Sequence, residues 1–490
     1  MSGPATKRKD PAESPAEAAN PADFRDHLAT ADQQGRRQWV YPRKPKGRFH
    51  TARVWLSCVL IAIMFVGPFV RVQGNPLLLL NFVARKFVIL GHVFWPQDMI
   101  ISAVTLLIFF TGIIVFTAAF GRLWCGWTCP QTVLMEMVFR KIEYFIEGDA
   151  WQQRALTKAP WTPDKIARKF TKHALFFGLS FIVGNTLLAY IIGSEQLLKI
   201  IADNPVSHLQ GLMFMLLFTL VFYAIFARFR EQACTFICPY GRLQSTLLDE
   251  NSIVVAYDYK RGEKRGALKR SQAAEARISA GQGDCIDCRQ CVSVCPTGID
   301  IRNGTQMECV HCTACIDACD AVMDKISRPR GLIRYASLNG IERREPLRFT
   351  PRLTGYAVVL AALIGLWLVL VFTRSDVEAT LLRAQGALFQ QMPDGHFSNL
   401  YTVKVVNKTS RAVPIELRLE NPQGSLQVMG NDLLVPAEKL AEASVLIELD
   451  KKQLHHGNTP LVVGVYSKGR RIEQLKTNFI GPRDDTDNEH

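Results

Sequence analysis

The sequence has no cysteine after Cys319, no apolar stretch from Met1 to about Phe49, and no histidine deep within any predicted membrane span. Each absence excludes something. A C-terminal region without cysteine carries neither a disulfide framework nor a thiolate-held cluster. A polar start rich in Pro, Ala and charge has no signal-peptide core and reads as a disordered, basic cytoplasmic arm over residues 1–50. Spans without paired histidines do not hold a transmembrane haem. No G-x-G-x-x-G follows a predicted strand, so nothing points to a bound nicotinamide or flavin, and the electron donor is expected to be external. The formal charge of +14 comes without any nucleic-acid motif. Its basic residues sit in the N-terminal arm and in loops beside apolar runs, which implies membrane lipid and no nucleic acid.

The cysteines that are present cluster. Of 13, eight lie between Cys285 and Cys319, four form the pairs Cys125/Cys129 and Cys234/Cys238, and Cys58 stands alone in an apolar run as a small hydrophobe. Such clustering marks metal ligation in a reducing compartment. The block CIDCRQCVSVCP followed by CVHCTACIDACD is C-x2-C-x2-C-x3-C twice over, the spacing of bacterial two-cluster ferredoxins. In that pattern the fourth cysteine of each run ligates the other cluster. Cys285, Cys288, Cys291 and Cys319 are therefore expected on one 4Fe–4S cluster, and Cys295, Cys309, Cys312 and Cys315 on the second. Asp320 stands where the second run would carry a proline, which leaves all eight ligands intact. His311, between two of them, reads as spacing.

Five runs have membrane-spanning length: Val54–Val70, Met99–Phe120, Ala174–Gly193, Leu209–Phe226 and Tyr356–Phe372. Leu77–Leu90, interrupted by Asn81, Arg85 and Lys86, is expected to be interfacial or re-entrant. Lys and Arg crowd before the first span and between the second and third, whereas Ser194–His208 carries only Lys199. This bias puts the N-terminus inside and, with five spans, the C-terminus outside. All the clustered cysteines then face the cytoplasm.

The two pairs lie in GRLWCGWTCP and REQACTFICPYGR, each C-x3-C-P just past a span, as in an internal repeat. A local helix would place both thiols of a pair on one face. Pro130 and Pro239 suit the first turn of a new helix, and Trp124 and Trp127 an interfacial belt. Soft thiolates select Cu(I), zinc or iron–sulfur, so a copper site, a further cluster and a reversible disulfide all stay open. The alternative is a structural turn with inert thiols, which does not account for the duplication.

From about Phe397 to Phe479, short alternating segments separated by turn residues predict an antiparallel β-sandwich of immunoglobulin type, serving as a docking module. His92 and His208 are expected near the outer face, and His396, His455, His456, Met392 and Met429 scattered on the surface.

The layout resembles the cytochrome c oxidase accessory protein family of FixG/CcoG type. WCGWTCP, CTFICPYGR, the double ferredoxin run and the final β-domain carry the resemblance over nearly the whole chain. It implies a multi-domain membrane protein of the bacterial inner membrane. The expected parts are an arm (1–50), a four-span helical bundle with both CxxxCP motifs (51–250), a ferredoxin-type domain (251–350), a fifth span (351–375) and a periplasmic β domain (376–490). The resemblance also implies reduction of Cu(II) to Cu(I) for assembly of a cbb-type oxidase. On that reading Cys125, Cys129, Cys234 and Cys238 are catalytic and bind copper, and the partners are copper ions, an external electron donor and assembly factors or a copper chaperone or transporter. A homodimer is left open. The other reading is a quinol-linked electron relay without copper chemistry.

Overall fold

The computed structural model describes residues 29–482 apart from 33, 35, 73, 83–85, 90, 95–98, 269–280, 346–349, 385–388, 394, 410, 431–432, 438 and 455–457. Arm residues 1–28, together with Arg85, His455 and His456, lie outside the described residues. The chain divides into two compact units, residues 1–68 with 104–364 and residues 69–103 with 365–490.

Five helices are long and apolar enough to cross a membrane: Arg48–Phe69, Met99–Phe120, Pro163–Ile192, Pro205–Phe229 and Pro351–Phe372. None of the apolar window of the last is buried within the protein. A helix apolar all round and uncovered by protein is matched to lipid, and the chain is a multi-pass membrane protein. The third helix begins earlier than the expected Ala174. Thr162 accepts the Lys165 N–H at 3.3 Å and Pro163 supplies the first turn, so the helix is capped there. His173, one residue ahead of the expected span, is consequently on the helix, its Nδ1 2.8 Å from the Tyr223 hydroxyl.

In the first unit the chain after the second span returns as a helix, Pro130–Leu134, through a π-helical stretch, Met135–Phe139, into Arg140–Ile146. Phe139 on this segment stacks on Phe226 of the fourth span at 4.4 Å and meets Phe176 of the third edge-on at 4.8 Å. Beside this apolar contact run buried ion pairs: Glu143 with Arg230 (2.6 Å), Arg140 with Glu136 (3.0 Å), and Glu147 with Lys172 (2.9 Å) and Lys169 (2.8 Å). Buried charges are tolerated only when paired in this way.

The ferredoxin part rests on a two-stranded antiparallel sheet, Val254–Tyr257 with Ile333–Ala336, and on the helices Gln290–Ser293 and Ala314–Lys325. Much of the described part of residues 29–47, expected to be disordered, is instead bonded to it and to the helices. Ala29 N–H donates to Glu308, Arg43 N–H to the Ser293 carbonyl and Lys44 N–H to Asp149. The Arg37 guanidinium lies 4.0 Å over the Trp39 ring and 3.2 Å from Glu231. These side chains find partners far along the chain, which local composition does not register.

The second unit is the expected β-sandwich. One sheet orders Ser425–Met429, Leu440–Leu449, Phe397–Asn407 and Val377–Arg383, with Gln390–Gln391 also on Phe397–Asn407. The other orders Leu433–Val435, Val413–Asn421, Asn458–Ser467 and Arg470–Ile480. Tyr401, Val403 and Val405 alternate inward to meet Val445, Ile447, Val463 and Val465. Val377–Arg383 is a strand that the reading from Phe397 onward missed, because it follows the last span with hardly a break. Within Leu77–Leu90 the structure has strands in place of a re-entrant segment: Leu78–Asn81 and Lys86–Ile89 pair, and His92–Phe94 adds to them. Among the described residues there, none is helical.

Candidate functional site

Each cysteine run is curled by the same device. Asp287 and Arg289 flank Cys288 with φ of 52° and 51°, and His311 and Thr313 flank Cys312 with φ of 53° and 63°. Left-handed backbone costs a non-glycine residue about 1–2 kcal/mol. Such strain gathers at ligand clamps, where the surroundings over-determine it. Here it wraps each C-x2-C-x2-C segment inward before a helix carries the chain away. Cys291 and Cys315 lie in the first turns of those helices.

The thiols of the two runs lie close to one another across the chain. Burial, then the proximity of Cys291, Cys288 and Cys285, pushes the Cys319 thiol up to about 12. Burial pushes Cys309 to about 12 as well, with Cys295 and Cys312 as its charged neighbours. Cys295 is raised by burial against the opposing N–H groups of Thr297, Gly298 and Ile299, which donate to its sulfur. A small cavity lies among Cys291, Cys295, Cys309, Cys312 and Cys315, walled by Ile299 and Ile301. Eight free, soft thiols, five of them lining this space, fit the donor set of two 4Fe–4S clusters. Such clusters supply one-electron storage; the chain supplies thiolates, N–H donors to sulfur and exclusion of water. Cys288 alone of the eight is exposed.

The two CxxxCP motifs also meet, although not as expected within each motif. Cys125 sits in the short helix Leu123–Trp127, and Cys129 has extended backbone ahead of Pro130. Cys234 sits in the π-helical Ala233–Ile237, and Cys238 has extended backbone ahead of Pro239. The helix therefore breaks between the members of each pair, and they do not share one helix face. Both prolines open new helices, as expected. What joins the motifs is contact between them. Cys125 Sγ donates to Gln244 Oε1 at 3.3 Å, the Arg122 guanidinium donates to the Gly241 carbonyl, and Tyr240 and Thr117 hydroxyls lie 2.9 Å apart. Burial, followed by Cys129, Cys125 and Cys238, pushes Cys234 up to about 12, and burial with Cys129 foremost pushes Cys125 to about 11.

This tetrad lies directly against the second cysteine run. Arg53, buried in the first span, donates from Nε to the Gly126 carbonyl (2.9 Å) and from Nη1 to the Cys312 carbonyl (3.0 Å). Arg122 N–H donates to His311 Nδ1 at 3.1 Å, and its guanidinium reaches the Met307 carbonyl. Burial, together with Arg122, lowers His311 to about 3, so the ring is neutral. Trp127, expected at a lipid interface, donates to the Tyr335 hydroxyl at 3.0 Å and packs against Phe49. Trp124 is exposed. Arg53 had counted only as a flanking positive charge and His311 only as spacing. Neither has a local signal, because their partners are remote carbonyls and amides. Cys58 is exposed on its helix, and His208 pairs with Asp203 at 2.9 Å.

Family models match three stretches: a 4Fe-4S binding domain over residues 102–148, a 4Fe-4S dicluster domain over 229–338, and the IG-like fold at the C-terminal of FixG over 367–482. The chain is 33% identical over 498 residues to nitrogen fixation protein FixG of Rhizobium meliloti, covering 91% of this chain and 94% of that one. It is 35% identical over 399 residues to protein RdxB of Cereibacter sphaeroides, covering 78% and 82%. Against protein RdxA of the same organism it is 35% identical over 403 residues, covering 79% and 83%. With both ferredoxin-type regions, the terminal β-domain and these near-full-length relatives in register, the chain belongs to the FixG family of iron–sulfur electron-transfer proteins.

Proposed function

We propose that the protein takes electrons from an external donor at the set containing the exposed Cys288 and delivers them through its iron–sulfur centres to the tetrad of Cys125, Cys129, Cys234 and Cys238, where Cu(II) is reduced to Cu(I). The reduced copper serves assembly of a cbb-type oxidase in the bacterial inner membrane. The observation that carries this reading is the docking of the first CxxxCP motif on the Cys309–Cys312 loop through Arg53 and His311. That contact sets the segment of the terminal thiols directly against the electron store. Soft sulfur favours Cu(I) over Cu(II), which adds driving force for the single-electron step. Cys285, Cys288, Cys291 and Cys319 hold one cluster and Cys295, Cys309, Cys312 and Cys315 the other. The cysteine sets face the cytoplasm and the β-domain the periplasm, where it docks assembly partners.

The test is anaerobic protein, reduced with dithionite, freed of excess reductant and mixed with Cu(II) and a Cu(I)-specific chelator. Wild type should form the coloured Cu(I) complex, and Cys125→Ala/Cys129→Ala should not. Full reduction in the variant places copper chemistry elsewhere. Oxidation of the wild type by quinone but not by Cu(II) would favour the quinol-linked relay.

A further inference from the structure

Twelve of the cysteines fall into three sets of four, two in the ferredoxin part and one at the paired motifs. The tetrad is built from two elements that are fixed to each other. Cys125 is hydrogen-bonded to Gln244 on the helix that Pro239 opens, and Arg122 reaches Gly241 on the same helix. A methyl on Gly241 would in turn stand 2.3 Å from the Cys234 carbonyl. The first motif is thus pinned to the helix directly after Cys238, and that helix is pinned to Cys234. The mutual influence of the four thiols on one another agrees with this geometry.

All four thiols are free and half-buried, and they are soft sulfur donors of the kind the two ferredoxin sets supply. The segment that carries the first motif matches a 4Fe-4S binding domain, and a cubane takes four thiolates. Neither motif could close a cubane alone, since the matched 102–148 segment contains just two cysteines.

We infer that Cys125, Cys129, Cys234 and Cys238 jointly ligate a third 4Fe–4S cluster at the membrane edge, shared between the two CxxxCP motifs. The inference rests on the reading of these thiols as the chain's terminal redox site. It makes the tetrad an electron donor to copper, in place of the copper ligand that the family resemblance implies.

The experiment measures iron and acid-labile sulfide per full-length chain, purified anaerobically in detergent and reconstituted with iron and sulfide. Three four-iron clusters give about twelve irons, and two give about eight. The wild-type count decides by itself: twelve supports the third cluster and eight overturns it, whether or not any variant folds. Cys125→Ser/Cys238→Ser should lose a third of the iron and one paramagnetic resonance signal of the reduced protein, with the ferredoxin signals kept. Unchanged iron in that variant also overturns the inference. Cu(II) reduction on the same samples separates the two readings. Twelve irons without copper reduction keep the cluster and sink the copper function. Eight irons with reduction lost in the variant do the reverse.

Discussion

Gly126 and His311 touch backbone to backbone: a methyl group on the Gly126 α-carbon would stand 2.5 Å from the His311 carbonyl oxygen. The same methyl would meet the Val310 carbonyl at 2.5 Å. Neither obstacle is a flexible side chain, so one of the two backbones has to move.

Gly126→Ala should therefore loosen the ferredoxin loop from the CxxxCP turn, at a cost of about 1–3 kcal/mol, the range for overpacking a tight contact. Hydrogen exchange at residues 307–313 should rise, and Cu(II) reduction should slow while the iron content is kept. Protection and rate equal to wild type would show that the contact is not needed.

Cys288→Ser and Cys312→Ser should each remove one ferredoxin cluster, and not the same one, because their sets do not overlap. Each variant should lose about four irons, with different resonance signals surviving in the two. If both variants lost the same signal, the crossed assignment of Cys319 and Cys295 would fail.

A reporter enzyme active only outside the cytoplasm should be active when fused after Pro482 and silent after Arg330. One membrane-length helix, Pro351–Phe372, lies between these points. Activity at Arg330 and silence at Pro482 would invert the proposed orientation.

Glu147 gives a pH-dependent prediction. Burial alone would raise its carboxyl, but Lys172 and Lys169 outweigh it and hold the group below 4.5. A depressed carboxylate contributes stability above its unfolded value, and that contribution is lost as pH falls through its folded value. Glu147→Gln should lower thermal stability at pH 7 by about 1–3 kcal/mol. As pH falls below the ordinary glutamate range and through the lowered folded value, the two melting curves should converge as the wild-type carboxyl protonates. A difference that persists at low pH would assign the loss to packing.

The ferredoxin ligands, the five spans and the β-sandwich were legible because each is written in local spacing. Three thiolates wrap one cluster within a single tight loop, a bilayer demands an unbroken apolar run, and a half-buried strand alternates. The proximity of Cys319 to the cysteines of the first run follows the same spacing, which carries the crossing rule. Tertiary structure alone brings the two CxxxCP motifs together. Their convergence runs through Gln244 and Gly241, which are hydrogen-bonded to Cys125 and Arg122 across more than a hundred residues of chain. The same holds for Arg53, which in sequence is one more positive charge before an apolar run. A buried guanidinium has to find acceptors, and the carbonyls it found, Gly126 and Cys312, belong to segments that only folding brings beside it.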